Sequence, residues 1–294
     1  MALGNLAQRF LVAVVAVPIL LLLLSYNRHE PTWAVIFLAS LIAMREFFAM
    51  TLPKQDIPAA LGMGALACAA FYWLDPMTLA QFTSAPKLLQ GAVVASSAIV
   101  MVLAVVVPML YFLFRFRDIP TVAARITATI TGIVYAGFLA TFLAMLKRLT
   151  AGGETLAFAN AIPVVLVLVV AWLADTGGYF AGRFLGKAKL YEAVSPKKTW
   201  AGAYGGIAGS ILGVAVIKLF YPSVLTWPDV FLIAIPGGIL GQMGDLAESL
   251  IKRSVGVKDS GALLPGHGGL LDRIDAVLFI APYVYLYLRI KPLV

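Results

Sequence analysis

Charged residues are scarce in this sequence. Only 12% of its 294 residues are Asp, Glu, Lys or Arg, whereas 62% are hydrophobic. Soluble domains carry about 25% charged and about 45–50% apolar residues, so a single water-facing core could not hide this much apolar surface. The shortage of charge therefore excludes a soluble globular protein and predicts an integral membrane protein.

Cysteine and histidine are nearly absent as well. Cys68 is the single cysteine, it lies in an apolar run, and the chain has only two histidines. An intramolecular disulfide and a Cys-rich metal cage are thereby excluded. A zinc site at His267 is disfavoured because no Cys or second His lies near it in the sequence. We therefore expect any metal site to rest on carboxylates.

Long apolar runs dominate what is present. Nine stretches approach the roughly 20 residues that a helix needs to cross a bilayer. Lipid permits only helices and closed barrels, and these runs are too long for barrel strands, so we expect an all-α polytopic membrane protein of about nine transmembrane helices. Residues 1–294 form one predicted helical membrane domain, with lipid-facing scaffold helices in 1–150 and the candidate catalytic helices and loops in 155–294. The stretches lie near residues 10–26, 32–51, 57–74, 91–114, 121–146, 155–175, 201–220, 230–253 and 271–290.

Basic residues are divided unequally between the two faces that nine crossings define. Fourteen lie on the face of the amino terminus, seven lie on the opposite face, and Arg45 lies within a helix. Because Lys and Arg are enriched in cytoplasmic loops, this bias places the amino terminus in the cytoplasm. The same rule accounts for the net charge of +8, so nucleic-acid binding is not needed to explain it. Loops 184–200 and 254–270 then both face the cytoplasm.

Acidic residues occur inside the last two apolar stretches, although a charge at a helix centre costs roughly 2.5–3.5 kcal/mol on insertion. Helical spacing puts Asp245 and Glu248 on one stripe, and it puts Asp272 and Asp275 on one face of the next helix. An ion pair of Glu248 with Lys252 is the structural alternative. Four carboxylates that converge at one membrane edge are typical of a site for a divalent cation such as Mg²⁺, which prefers oxygen ligands.

A glycine-rich basic segment follows the sixth stretch. It reads Asp175-Thr-Gly-Gly-Tyr-Phe-Ala-Gly-Arg183, continues through Gly186-Lys187, and ends in Ser195-Pro-Lys-Lys-Thr-Trp200. Glycine lets a backbone approach a ligand closely, and Lys and Arg supply phosphate-binding charge, so the segment predicts a polyphosphate cradle. Positive-inside sorting explains the basic residues about as well. Asp175, at the expected end of an apolar helix and facing the basic loop, favours the binding role.

The segment that leads into the last helix carries a recognisable pattern. It reads Ser249-Leu-Ile-Lys-Arg253, Lys258-Asp259, Pro265-Gly-His-Gly-Gly269 and Asp272-Arg-Ile-Asp275. Position for position, this pattern resembles the signature of the CDP-diacylglycerol synthases, also called phosphatidate cytidylyltransferases. The run Asp175–Trp200 resembles a second block of that family, with one departure: Ala201 stands where many relatives have an acidic residue. The resemblance is strong over about 165–290 and generic before that.

This resemblance implies a function. Members of the family transfer the cytidylyl group of CTP to phosphatidate, giving CDP-diacylglycerol and pyrophosphate. It implies CTP, phosphatidic acid and membrane lipids as partners, with no nucleic acid, and a homodimer as the assembly. It further implies Mg²⁺ with a neighbouring K⁺ as cofactors, and a site on the cytoplasmic face of the cell inner membrane.

The resemblance also assigns roles to individual residues. Three carboxylates are expected to bind the metal: Asp245, Asp272 and Glu248. The groups expected to act at the reacting phosphates are Asp275, Lys252, Arg253, Arg273 and His267. The groups expected to bind substrate are Asp175, Arg183, Lys187, Ser195, Lys197, Lys198, Ser249 and Lys258. For His267, which is flanked by glycines, a role in shaping the loop is the alternative.

Three other functions compete with this one. A transporter also uses intramembrane carboxylates, but here the charges gather at one face and no inverted repeat is visible. A CDP-alcohol phosphotransferase would need an Asp-rich helix motif that this sequence lacks. A non-catalytic relative, or one that acts on another phospholipid, is distinguished only by a substrate assay.

Overall fold

The described part of the chain is almost entirely helical. The computed structural model describes residues 18–20, 22–26, 28–75, 87–149, 160–263 and 268–291, with no side-chain description for 87–95. The helix expected at 10–26 lies largely outside these residues, although 18–20 and 22–25 are helical. His267 also lies outside them, so its predicted role stays a prediction.

The helices confirm an all-α polytopic membrane protein. Six of them are long and apolar enough to cross a membrane. A seventh apolar helix has 17 residues, and the last helix carries three charged residues in its first turns. The total of nine crossings stays a prediction. The bounds are α1 Glu30–Thr51, α2 Ile57–Trp73, α3 Lys87–Arg115, α4 Ile119–Gly132, a π-helical turn Ile133–Phe138, α5 Leu139–Leu146, α6 Ile162–Leu185, β1 Lys189–Tyr191, β2 Ser195–Thr199, α7 Trp200–Phe220, α8 Trp227–Ser254 and α9 Leu271–Ile290.

Contacts divide the chain into two compact units. One runs from Trp33 to Thr141, and the other joins the residues up to Thr32 with those from Phe142 onward. We call the second one the site unit, because every predicted site residue belongs to it. The scaffold and catalytic roles expected for 1–150 and 155–294 stay predictions.

A buried ion pair organises the unit from Trp33 to Thr141. The Arg125 guanidinium donates from Nε to Asp56 Oδ2 at 2.7 Å and from Nη2 to Asp56 Oδ1 at 2.9 Å. It also donates to the main-chain oxygen of Phe116 and lies 4.8 Å from the centroid of the Phe112 ring. A buried charge is tolerated when it is paired and hydrogen-bonded in this way, so the contacts hold the start of α2 against α3 and α4.

Helices α6 and α7 of the site unit pack backbone to backbone. A Cβ added at Gly177 would lie 2.3 Å from the Gly205 carbonyl oxygen, and one added at Gly209 would lie 2.1 Å from the Leu173 carbonyl oxygen. Small residues allow such close approach between membrane helices, where van der Waals contact drives association. Because α6 and α7 touch along these glycines, polar side chains of both helices are brought to one cavity.

An apolar core holds α6, α8 and α9 together. Val167 and Val170 of α6, Ile233 of α8, and Ile280 and Val284 of α9 are fully buried in one cluster. Their burial places the opposite, polar ends of the same helices side by side. The charged residues of α8 and α9 therefore lie within reach of those on α6.

The predicted end of α6 is wrong. The hydropathy pattern suggested a helix over 155–175 with Asp175 at its end, but α6 runs from Ile162 to Leu185. Asp175 thus lies inside the helix and Arg183 lies in its last turn. The polar, glycine-rich second half stays helical because its glycines pack against α7, which a hydropathy pattern does not register.

The expected loop at 184–200 contains a small β-hairpin. Strand β1 pairs antiparallel with β2, with Lys189 opposite Thr199 and Tyr191 opposite Ser195. Thr199 then caps α7, since its Oγ1 accepts from the Gly202 N–H at 3.1 Å. This hairpin is the one sheet within the described residues. It gives the basic segment a defined shape.

Lys147 is buried at the end of α5 with two neutral partners. Its Nζ donates to the Leu24 carbonyl oxygen at 2.6 Å and to Asn160 Oδ1 at 3.1 Å. Burial lowers the pKa of Lys147 from its usual 10.5 to about 8. Between these two values the unfolded chain binds more protons than the folded one, so this group makes stability rise with pH.

We expect Lys147→Met to remove that rise. Thermal unfolding in detergent between about pH 8 and about pH 10.5 should show a smaller increase in melting temperature for the variant than for the wild type. Lys54→Met is the control, because Lys54 is exposed. Equal pH dependence in the wild type and the Lys147 variant would contradict the assignment.

Candidate active site

A cavity of about 630 Å³ lies among the polar ends of the site-unit helices. Its walls come from α6, both strands of the hairpin, α7, α8, the segment after α8, and α9. Eleven of its lining residues are charged, and they include both signs: Asp175, Arg183, Lys197, Lys198, Asp245, Glu248, Lys252, Asp259, Asp272, Arg273 and Asp275. Such a mixed lining fits a ligand that carries several charges.

Basic groups from α6 and the hairpin form one side of the cavity. Arg183 Nη1 donates to Tyr179 Oη at 2.6 Å, and the Arg183 guanidinium lies 5.9 Å from the centroid of the same ring. Lys197 is exposed on β2, and Lys198 Nζ lies 2.7 Å from Asp245 Oδ2. The hairpin therefore places two adjacent lysines, Lys197 and Lys198, in the lining of the cavity, as expected for a polyphosphate cradle.

Carboxylates from three helices form the other side. Asp175 of α6, Asp245 of α8 and Asp275 of α9 all line the cavity. They lie close enough that the charges of Asp245 and Asp175 act on the Asp275 carboxyl. Like charges held together at membrane depth are costly unless a cation joins them. Negative charge is therefore concentrated in this part of the cavity, and Lys198 neutralises only part of it.

A chain of ion pairs connects α8 to α9 beside these carboxylates. Lys252 Nζ contacts Glu248 Oε2, and it lies 2.7 Å from Asp272 Oδ1. Asp272 also accepts from the Gly269 N–H at 2.8 Å and the Ser260 N–H at 3.1 Å, so it holds the segment that precedes α9. The Glu248–Lys252 pair expected as the structural alternative is thus present.

One oxygen of this chain is left without a partner. Glu248 is buried, and its Oε1 makes no hydrogen bond within the described residues. A buried carboxylate oxygen without a partner costs free energy comparable to a lost hydrogen bond or more. A cation bound at this position would give Glu248 Oε1 the partner that it lacks.

Carboxylates are the donor set that the cavity offers to a magnesium ion. Within the residues that the structure describes, no group of three or more His, Cys, Asp or Glu has the arrangement of a metal site. Mg²⁺, however, often takes only one or two carboxylates and completes its coordination with water and substrate phosphates. Asp245 and Asp275 face the cavity, and Glu248 has a free oxygen beside it, so the residues fit a substrate-completed site better than an all-protein cage.

Several predicted residues lie outside the cavity lining. Lys187 and Lys258 are exposed, and Arg253 donates from Nη1 to the Val257 carbonyl oxygen at 3.1 Å. Ser195 starts β2, and Ser249 lies 3.4 Å from Asp245 Oδ1, which gives it an indirect connection to the site. The predicted roles of Lys187, Ser195, Ser249 and Lys258 in substrate binding, and of Arg253 at the reacting phosphates, stay predictions.

The structure also adds lining residues that the sequence reasoning missed. Tyr179, Thr199, Gln242 and Asp259 all face the cavity. Gln242 precedes Asp245 by three residues, and helical spacing alone would have put it on the same stripe. Tyr179 and Thr199 gave no such signal, because their positions depend on the packing of α6 against the hairpin.

Fold and cavity together define a class: a polytopic helical membrane protein with a cavity lined by charges of both signs at one end of its helices. A model of the cytidylyltransferase family matches residues 7–291. The chain belongs to this family. The transporter and the CDP-alcohol phosphotransferase are therefore not supported as alternatives.

Curated relatives support the same assignment. A protein of Synechocystis sp. is 33% identical over 277 residues, which cover 86% of this chain and 87% of that protein. A protein of Brucella suis biovar 1 is 42% identical over 156 residues, or 53% of this chain and 55% of the relative. One from Bacillus subtilis is 43% identical over 122 residues, or 42% and 45%. All three are named phosphatidate cytidylyltransferase, and this chain matches about half the length of the latter two.

Proposed function

We propose that the protein is a CTP:phosphatidate cytidylyltransferase of phospholipid biosynthesis. The proposal rests on one observation above all: a member of the cytidylyltransferase family holds a basic hairpin and a set of carboxylates around a single cavity in a membrane domain. CTP is a soluble polyanion, whereas phosphatidate is a lipid with an anionic head group. A charged cavity at the end of membrane helices is where these two substrates can meet.

The reaction is an in-line displacement at phosphorus. A phosphate oxygen of phosphatidate attacks the α-phosphorus of CTP, a new P–O bond forms, and the bond to the β-phosphate oxygen breaks to release pyrophosphate. The nucleophile is already anionic, so a general base contributes little, and the main requirement is to bring two anions together in the correct geometry. Lys197, Lys198, Arg183 and Arg273 supply the positive charge that this requires.

Mg²⁺, with a neighbouring K⁺, completes the proposal. Asp245, Asp272 and Glu248 are the proposed ligands, and Asp275 lies beside them on the cavity wall. When bound, Mg²⁺ would neutralise phosphate charge and polarise phosphoryl oxygens. Lys252 contacts both Asp272 and Glu248, so its ammonium group holds these two carboxyl groups side by side.

A direct assay tests the proposed function. Purified protein in detergent with labelled CTP and phosphatidate should form CDP-diacylglycerol and pyrophosphate, and excess EDTA should abolish the reaction until Mg²⁺ is restored. Omission of phosphatidate is the control for CTP hydrolysis. Failure to form the lipid nucleotide would refute the activity, whereas full activity in EDTA would refute the metal requirement alone.

We further propose that the cavity opens to the cytoplasm of a bacterial cell, in the inner membrane. The excess of Lys and Arg on the face that carries the hairpin supports this orientation. A cysteine placed at Lys187, which is exposed, should react with a membrane-impermeant reagent only after the membrane is opened. Labelling in intact spheroplasts would reverse the proposed topology.

The assembly of the protein is a separate question, and the resemblance to the family implies a homodimer. We propose this state, and mass measurement in detergent by light scattering or native mass spectrometry tests it directly. A single monomeric species at enzyme concentrations that support full activity would exclude an obligatory dimer.

Lys198 provides a test of the basic side of the cavity. We expect Lys198→Met to raise the KM for CTP roughly tenfold or more, because a charge-assisted contact to phosphate is lost. Its pair with Asp245 is partly exposed, so the folded state should lose little stability. Lys189→Met is the matched control, since Lys189 lies on the same hairpin but bonds the Pro196 carbonyl oxygen at 2.6 Å. Equal KM values in the two variants would contradict the assignment.

A further inference from the structure

The inner end of the cavity has a different character from its charged part. Gln242 lies there beside small residues such as Ala174 and Ala203. It precedes the end of α8 at Ser254 by twelve residues, or about 18 Å along the helix axis. A small-walled recess with one primary amide can accept a flat, neutral ring, in contrast to the phosphate-binding part.

The amide of Gln242 has a defined orientation. Its Nε2 donates to the main-chain oxygen of Ala203 at 3.1 Å. A main-chain carbonyl can only accept, so the flipped amide would place two acceptors against each other. Gly206 leaves space for the Gln242 amide in its observed position, because a Cβ at residue 206 would lie 3.2 Å from the Gln242 nitrogen. Oε1 and the second N–H form no other hydrogen bond within the described part of the chain, and they are available to a ligand.

An amide held in this way presents its Oε1 acceptor next to the second N–H donor of Nε2. Cytosine presents the complementary edge, with the N4 amine as donor beside N3 as acceptor. Uracil presents the reverse, with O4 as acceptor beside the N3–H donor. Paired contacts between an amide side chain and a base edge are a known means of base discrimination. Diacyl phosphatidate has no N–H or hydroxyl donor outside its phosphate, so the lipid offers the Gln242 oxygen nothing to accept.

We propose that Gln242, held by the Ala203 carbonyl, selects cytosine over uracil in the nucleotide substrate, and that the inner end of the cavity is the nucleobase subsite. This inference rests on the proposed function. Asp245 lies three residues, or about 4.5 Å along the axis, nearer the end of α8 at Ser254, which leaves the ribose and phosphates on the side of the carboxylates and lysines. A uracil ring in the position of cytosine would place O4 opposite Oε1 and N3–H opposite the second N–H; only the flipped amide would match it there, and the bond to Ala203 opposes that flip.

Competition between nucleotides tests the inference. Initial rates with CTP and with UTP are compared for the wild type and Gln242→Met, which keeps the side-chain length but removes the amide. The wild type should prefer CTP, and the ratio of kcat/KM for CTP over UTP should fall roughly ten- to hundredfold in the variant. Met243→Leu is the control, because Met243 lies on the exposed side of α8 and should leave the ratio unchanged.

A second variant separates base selection from a simple packing role. Gln242→Asn keeps an amide but is one methylene too short to bond Ala203 and reach a ligand together, so it should lose the preference as well. Thermal shifts with CTP and UTP report the same preference without turnover. An unchanged ratio in either folded variant, or a wild type that uses UTP as well as CTP, overturns the inference and leaves the proposed function standing. A wild type that makes no CDP-diacylglycerol overturns the proposed function instead.

Discussion

Asp245→Asn should lower the rate of CDP-diacylglycerol formation by roughly 100- to 1000-fold, the range seen when one electrostatic contact to the reacting group is lost. Asn has the shape of Asp but no charge. Asp245 faces the cavity together with Asp175 and Asp275, and it pairs with Lys198. Phosphoryl transfer depends on charge neutralisation and positioning, so loss of this carboxylate removes both a cation ligand and the partner that orients Lys198.

Asp272→Asn should have a similar effect for a second reason. Asp272 accepts from Lys252 and from the N–H groups of Ser260 and Gly269, so it holds the start of α9 and the segment before it. An amide can satisfy only some of these donors, and the ionic part of the Lys252 contact disappears. We therefore expect a loss of activity accompanied by a lower melting temperature, unlike the variant at Asp245.

Matched measurements distinguish these effects from misfolding. Asp118→Asn is the control, because Asp118 is exposed in the other unit and its side chain accepts a hydrogen bond from Thr121 Oγ1 at 2.8 Å, its one side-chain partner among the described residues. Elution volume and melting temperature in detergent report folding, and product formation reports activity. A loss below tenfold at both Asp245 and Asp272 would contradict their proposed roles.

Gly209→Ala should destabilise the site unit and abolish most activity with it. A Cβ at Gly209 would lie 2.1 Å from the carbonyl oxygen of Leu173, which is main chain and cannot rotate away. Helices α6 and α7 must then separate, and overpacking of this kind typically costs about 1–3 kcal/mol. Since α6 carries Asp175 and Arg183, even a small separation moves the two sides of the cavity apart.

Gly62→Ala is the matched control for this substitution. Apart from its chain neighbours and the backbone of its own helix, nothing lies within 4 Å of a Cβ added at Gly62, which is also inside a helix. Alanine favours the helix over glycine by about 0.8–1.0 kcal/mol, so this variant should melt at the same or a slightly higher temperature. A Gly209→Ala protein that melts with the wild type and keeps its activity would show that α6 and α7 do not require this contact.

Much of the fold follows from the hydropathy pattern. The predicted stretches at 201–220, 230–253 and 271–290 agree closely with α7, α8 and α9. The end of α6 was missed because packing, not hydropathy, decides it. The glycines of Asp175–Arg183 read as a loop in isolation, but against α7 they allow a helix to continue with its backbone in contact with a neighbour.

The candidate site was predictable in part. Helical spacing correctly indicated that Asp245 and Glu248 share a stripe, and the basic segment correctly indicated lysines at the cavity. The Lys252 bridge between Glu248 and Asp272 joins two helices across a segment of the chain, so no periodicity reports it. Gln242 shares the stripe of Asp245, but its role depends on the Ala203 carbonyl of another helix.

The sequence by itself determined that this protein resides in a membrane, where the helices from Glu30 onward begin and end to within a few residues except at α6, and which family it resembles. These properties depend on local composition, on helical period and on a contiguous motif. Only the tertiary structure decided which charges meet, which carboxylate oxygen has no partner, and how the Gln242 amide is oriented. Such contacts join residues that lie far apart in the chain, and the close approach of helices at their glycines sets the distances between them.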